Sequence, residues 1–191
     1  SRLAYGGVTK SIALCDGVDV PCYGLAKKRV VSNGLPSRVG EKSMRENSGR
    51  KFRILYMGIL TESKGIIAII RIAKILAERG LINIEITMVG DWMTKKERLS
   101  ALAAIDLQDG VEINFLGVLI GEQKQEILSS ADVFLFPSHY EFENQPLVII
   151  EAMASGLAIV ASRWRGIPEL IVDGESGFLL DVGDDEGMVK R

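Results

Sequence analysis

At 191 residues, 47% of them hydrophobic and 25% charged, the chain has room for one domain plus a fragment and too much apolar content for disorder. The formal net charge is −2, and basic residues occur only in short clusters such as Lys27-Lys28-Arg29 and Lys95-Lys96 with Arg98. That pattern argues against a nucleic-acid-binding surface.

In chain order, residues 1–36 fit no α/β alternation, and residues 37–50 (SRVGEKSMRENSGR) read as a polar loop. From residue 51 onward strand-like and helix-like segments alternate. Phe52–Met57 predicts a strand, and Ser63–Arg79 a helix stopped by Gly80. Asn83–Val89 is a strand, Thr94–Ile105 a helix, Glu112–Phe115 a strand and Glu122–Ser130 a helix. Asp132–Phe136 forms a short buried strand, Pro146–Ser155 a helix, Leu157–Ala161 a strand and Phe178–Leu180 the last strand. Such alternation predicts an α/β domain of about 140 residues, a Rossmann-like parallel sheet with helices on both faces. Apolar runs such as Val133-Phe134-Leu135-Phe136 suit strands buried on both faces. Ligands of these sheets bind beyond the C-terminal strand ends.

Two cysteines, Cys15 and Cys22, and one histidine supply neither a disulfide framework nor a multi-histidine metal site. No apolar run reaches the roughly 18–20 residues that cross a bilayer. Gly65–Ala77 is interrupted by Arg71 and Lys74, and no signal-peptide pattern opens the chain. Free thiols and a cytoplasmic location are expected, with peripheral membrane attachment of a longer protein left open.

The most informative stretch is Glu143–Gly156, ENQPLVIIEAMASG. Asn144 suits an N-cap, Pro146 the first helical position, and Gly156 a left-handed stop. Glu143 then lies in the loop before the helix and Glu151 about two turns inside it. Two carboxylates flanking a helix N-terminus that attracts phosphate can each meet a sugar hydroxyl on one side of a diphosphate. A plainer reading is an acidic residue complementing the helix dipole and an exposed helix glutamate. The surrounding Leu147, Ile149, Ile150 and Met153 leave little of the helix for solvent, which favours a cleft-lining Glu151 in need of hydroxyl donors. Gly58 ends a strand, and Lys64 follows six residues later, just before Gly65. A lysine at a helix N-terminus is unfavourable without an anion nearby.

Glu143, seven intervening residues, Glu151 and Ala152-Met153-Ala154-Ser155-Gly156 resemble the E-x7-E signature of retaining GT-B glycosyltransferases of the family 4 type. Lys51–Gly65 is similar to the first strand and phosphate loop of that family's donor domain. Ile86–Asp91, Phe115–Gly117, Ala131–Ser138 and Ala158–Gly177 resemble later strands and loops, in the family's order. The resemblance implies a donor domain over 51–191, truncated at its C-terminus. Residues 1–36 would be the connector and a remnant of the acceptor-side domain, with a short strand at Arg29–Ser32 before Asn33-Gly34.

By resemblance, Glu151 binds the nucleotide ribose and Glu143 sits as the catalytic-side residue near the transferred sugar, with Asn144, Gln145, Pro146 and Leu147 lining the loop. Gly58 and Lys64 would serve the diphosphate, and the Gly117-Val118-Leu119 loop the base. Ile59 stands where the family commonly has arginine, with Arg163 and Arg165 as candidate substitutes. His139 reads as a loop histidine rather than a catalyst. Gly166-Ile167-Pro168-Glu169 looks like a capping and packing loop. Trp164 is expected to be exposed, and the sequence supplies no role for it.

The implied function is transfer of a sugar from a nucleotide-diphosphate sugar to a glycan or lipid-linked glycan, with retention, no metal and no cofactor. The isolated chain is expected to bind donor but transfer negligibly. A GT-B epimerase or phosphorylase, and a non-catalytic nucleotide-binding module, remain as alternatives. The missing G-x-G-x-x-G weighs against the module.

Overall fold

The computed structural model describes residues 10–13, 27–30, 49–106 and 110–191. Strands β1 (Lys10–Ala13) and β2 (Lys27–Val30) form a parallel pair, with Lys10 opposite Lys27. The expected Arg29–Ser32 strand thus lies two residues earlier, and Asn33–Pro36 and the polar loop 37–48 fall outside the described residues.

The remaining strands are β3 (Phe52–Met57), β4 (Ile84–Val89), β5 (Val111–Phe115), β6 (Val133–Phe136), β7 (Ala158–Ser162) and β8 (Phe178–Leu180). They form one parallel sheet in the order β5-β4-β3-β6-β7-β8. Helices α1 (Ile66–Glu78), α2 (Lys95–Ala104), α3 (Gly121–Ser130), α4 (Leu147–Ala154) and α5 (Asp185–Val189) complete the doubly wound α/β domain. The chain runs outward from β3 to β5, then returns to start β6 on the other side of β3. The C-terminal ends of β3 and β6 therefore bracket the topological switch point.

The core follows from the sequence period. In α1, Ile66, Ile69, Ile70 and Ala73 repeat at helical spacing and are buried, each large side chain contributing about 1.5–3 kcal/mol on burial. The helix starts at Ile66 rather than Ser63, because Gly65 turns left-handed at φ 92° after a short 3-10 turn, Glu62–Lys64. A Cβ at Gly65 would lie 2.4 Å from the Pro137 carbonyl oxygen, so only glycine lets the loop after β3 meet the loop after β6. Gly90 is similarly constrained, since a Cβ there would lie 1.9 Å from the Gly58 carbonyl oxygen.

At the opposite end of the sheet Asp132 fixes the β3–β6 pairing. It accepts from the Arg50 guanidinium at 2.6 and 2.9 Å and from the Arg53 backbone N–H at 2.9 Å.

Two expectations need correction. Burial on both faces holds for the central strands, but toward β5 one face carries polar Arg53, Glu85 and Asn114. The Asn114 amide donates to Glu85 at 3.0 Å, and Arg53 pairs with Glu85 at 3.3 Å. Among the described residues the ten-residue α3 lies over that side, and a cleft of about 410 Å³ opens there. Helix α5 was not foreseen, because five residues are too short to show a period. Asp184 caps it through the Gly187 N–H at 2.9 Å, Met188 is buried, and Asp185 pairs with Arg71 of α1 at 2.5 Å.

Tyr56, near the end of β3, is fully buried, stacks with Phe136 and donates to the Ile59 carbonyl at 2.9 Å. Burial, reinforced by the Glu143 carboxylate, pushes its phenol well above the usual tyrosine range. The folded value exceeds the unfolded value of about 10, so this stabilisation is intact below that pH and lost as pH rises toward the folded value. Denaturant titrations between about pH 9 and 11 should show stability falling more steeply in the wild type than in Tyr56→Phe. The variant should lose about 1 kcal/mol at neutral pH through the missing hydrogen bond. Parallel pH slopes in the two proteins would contradict this assignment.

Candidate functional site

The loops that follow β3 and β6 meet at the switch point. The His139 N–H donates to the Ser63 carbonyl at 2.8 Å, and Gly65 packs on Pro137. Between these contacts the Lys64 ammonium reaches Glu143 Oε2 at 2.8 Å, the two side chains only 17% and 6% exposed. Ser138 Oγ donates to the same oxygen at 2.6 Å. The Tyr140 ring lies 4.4 Å below the ammonium, a cation–π distance. Lys64 and Glu143, read separately in the sequence, are thus one buried pair.

The loop carrying Glu143 is held from several sides. Ser162 Oγ donates to the Ser138 carbonyl, and the Trp164 indole N–H to the Tyr140 carbonyl at 2.8 Å. The Gly166 N–H reaches the Glu143 carbonyl at 3.3 Å. Trp164, for which the sequence supplies no role, is half-buried, and this bond gives it one. The Gly166–Glu169 segment forms a 3-10 turn with Ile167 in the core, so it packs as expected and also braces Glu143. His139 contributes its backbone N–H to the loop junction.

The loop before Lys64 is anchored to α2. Thr61 Oγ1 donates to Glu97, which also accepts from Thr94 Oγ1 at 2.8 Å and from the Glu62 N–H at 3.3 Å. The Thr61 hydroxyl, ahead of the Thr94 bonds, holds the Glu97 carboxyl below its usual range.

The start of α4 differs from expectation. Pro146 occupies the N-cap with φ −66° and ψ 112°, and the helix begins at Leu147. Proline fixes φ but not ψ, and here an extended ψ keeps it outside the helix. Asn144 therefore lies two residues before the N-cap, and the N-cap proline itself offers no side-chain cap. Pro146 and Gln145 are buried, Asn144 is half-buried and Leu147 is exposed. The C-terminus is as foreseen: Gly156 turns left-handed at φ 71°, with Gly156 N–H to the Met153 carbonyl and Leu157 N–H to the Ala152 carbonyl.

Glu151 points into the packing between α4 and α3. Its Oε1 accepts from the Lys124 ammonium at 2.6 Å, the side chains 24% and 21% exposed. Its Oε2 is buried and has no hydrogen-bond partner. A carboxylate oxygen kept dry and unpaired costs about 1–3 kcal/mol. Sequence reasoning missed Lys124, Ser138 and Tyr140.

Among the other expected residues, Gly58 follows β3 and donates its N–H to the Val89 carbonyl at 2.9 Å. Val118 is exposed and Leu119 half-buried in the loop after β5, and Leu119 lines the 410 Å³ cleft. Ile59 is 53% exposed. Arg163 does not replace a cation there, because its guanidinium is tied to Asp173 at 2.6 Å and to the Leu179 carbonyl at 3.2 Å. Arg165 is exposed and lies 5.6 Å from the Trp164 ring. Among the described residues no cluster of three or more His, Cys, Asp or Glu side chains is arranged to hold a metal. No described helix is long and apolar enough to cross a membrane.

A parallel doubly wound sheet with a largely buried Lys–Glu pair at its switch point places the chain in the α/β class whose ligands bind beyond the C-terminal strand ends. Residues 51–191 match the model of the family described as glycosyl transferases group 1, and the chain belongs to that family. It is 33% identical over 166 residues to the amylovoran biosynthesis glycosyltransferase AmsK of Erwinia amylovora, covering 85% of this chain and 40% of that protein. The chain therefore spans well under half of that relative. The fold matches the crystal structure of TarM with a TM-score of 0.72 at 18% identity, over 94% of this chain and 34% of that one. It also matches Anabaena HepE in complex with UDP-glucose, with a TM-score of 0.66 at 23% identity over 85% and 46% of the two chains.

The Lys64–Glu143 pair generates a direct prediction. Lys64→Met and Glu143→Gln should each destabilise the fold by about 3 kcal/mol, since each strands a buried charge. The double variant should cost markedly less than the sum, by a coupling of about 1–3 kcal/mol in a denaturant double-mutant cycle. Additive losses would show that the two groups do not depend on each other.

Proposed function

We propose that this chain is the donor-binding portion of a glycosyltransferase that moves a sugar from a nucleotide-diphosphate sugar to a glycan or lipid-linked glycan, with retention at the sugar carbon. The observation that carries the reading is the pairing of Lys64 with Glu143 at the switch point, a cation and a carboxylate on loops from opposite sides of the crevice. Family membership and the UDP-glucose held by the HepE relative in fold support the donor class. The amylovoran-biosynthesis name of the AmsK relative supports a polysaccharide acceptor.

The chemistry follows from charge. The bond between the sugar carbon and the diphosphate oxygen breaks with its electron pair leaving on the nucleoside diphosphate, while an acceptor hydroxyl oxygen bonds to the same carbon and its proton passes to the departing diphosphate oxygen. Stabilising that departing charge is the main task of the site. In this reading Lys64 exchanges Glu143 for the diphosphate, joined by the N–H groups opening α4 at Leu147 and Val148. Glu143, released from the lysine, faces the transferred sugar. Asn144, Gln145, Pro146 and Leu147 shape that side. Glu151 serves the ribose hydroxyls, with Gly58 beside the phosphates and Val118 and Leu119 beside the base.

Thermal-shift titration of the 191-residue chain with UDP-, GDP- and ADP-sugars tests this reading, because a ligand confined to the folded state raises its stability. One nucleotide series should raise the melting temperature in a concentration-dependent way, reaching about 2.7 kcal/mol of stabilisation at a hundredfold excess over Kd. Glu151→Ala should weaken binding of both the nucleotide and the nucleotide-sugar by about tenfold or more. Glu143→Gln should weaken the nucleotide-sugar selectively. No shift with any nucleotide-sugar would overturn the proposal.

A further inference from the structure

We infer that the outward face of α2 is a docking surface for a membrane bearing anionic lipids, with Leu99 and Leu102 entering the lipid and Lys95, Lys96 and Arg98 meeting its headgroups. Helix α2 packs inside out. At about 100° per residue, Glu97, Ala101 and Ala104 fall on one side and Lys95, Leu99 and Leu102 on the other, with Lys96 and Arg98 on either flank. The glutamate and the alanines are the residues turned inward. Ala101 is buried and Ala104 packs against the core. Glu97 is tied down by Thr61 Oγ1, by Thr94 Oγ1 at 2.8 Å and by the Glu62 N–H at 3.3 Å. Leu99 and Leu102 are left 59% and 42% exposed, and Met93, just before the N-cap Thr94, is 63% exposed. A helix that merely covered its neighbours would bury its leucines instead.

Charge selects the occupant. Lys95, Lys96 and Arg98 are exposed, and none of their side chains pairs with a described residue. Lys95 and Lys96 open the helix, where the positive end of its dipole disfavours a cation unless an anion lies nearby. Because Glu97 is drawn inward, three cations surround the exposed leucines in a chain whose formal net charge is −2. The exposed carboxylates nearest in sequence, Asp91 and Asp106, lie outside the helix. A protein partner would have to bury the Lys95 ammonium at the centre of the contact, where lysine is depleted. On a membrane the same side chain extends its head to the lipid phosphates while its stem lies with Leu99. Docking there would also fix how the crevice meets the lipid surface, since Glu97 joins α2 to the loop that carries Lys64.

The test is flotation of the 191-residue chain with vesicles of equimolar phosphatidylcholine and phosphatidylglycerol, and with vesicles of phosphatidylcholine alone. The chain should float with the anionic vesicles, less with the neutral ones, and less as salt is added. Lys95→Gln combined with Lys96→Gln should weaken binding to the anionic vesicles by about twentyfold, at roughly fivefold for each cation near the surface. Leu99→Gln combined with Leu102→Gln should weaken it by about tenfold or more. Both variants alter exposed side chains, so their melting temperatures should match that of the wild type. Flotation unchanged in either variant, or absent with both lipids, would overturn the assignment. A wild type that ignores both vesicles but forms a dimer lost on replacing Leu99 and Leu102 would also overturn it, and would make the face a protein contact. No nucleotide enters the assay, so its outcome is independent of the donor site proposed above.

Discussion

The contact between Lys64 and Glu143 is the interaction on which the site depends. It joins residues 79 positions apart, on loops that leave neighbouring parallel strands at the point where the chain reverses its direction of winding. Placing a lysine and a glutamate together in a largely dry setting is costly unless geometry is good and the remaining lone pairs are satisfied. Here Ser138 and the Tyr140 ring complete the surroundings, and Ser162, Trp164 and Gly166 hold the loop that supplies them. So much bracing around one ion pair fits a group that must be presented to a ligand better than one that merely stabilises the fold.

Glycine placement makes that meeting feasible. Gly65 lets the loop after β3 lie against Pro137, and Gly90 lets the β4 end approach Gly58 within a distance no side chain would tolerate. The strand ends crowd together at the crevice, and α4 opens there behind Pro146, whose side chain offers no cap. Anion affinity at such a place arises from backbone geometry as much as from charged side chains.

Much of this was readable in the sequence. The limits of β3 and β8, the helical period of α1 and the left-handed stop at Gly156 follow from local patterns, and the structure reproduces them. Lys64 and Glu143 were each legible as unusual residues, but their pairing depends on strand order, which local patterns do not encode. The N-cap was misread because proline at 146 constrains φ alone, and the extended ψ that excludes it from α4 is set by its surroundings. Lys124 and Trp164 were beyond reach for the same reason as the ion pair. Their significance lies in partners supplied by other elements, Glu151 on α4 and the Tyr140 carbonyl in the loop after β6.

The most direct measurement is a crystal structure of the chain with its preferred nucleoside diphosphate bound. The account predicts the Lys64 ammonium withdrawn from Glu143 and within hydrogen-bond distance of the phosphates, with the Glu151 carboxylate turned to accept from the ribose hydroxyls. A nucleotide bound elsewhere, with the Lys64–Glu143 pair undisturbed and Glu151 Oε2 still unpartnered, would contradict it.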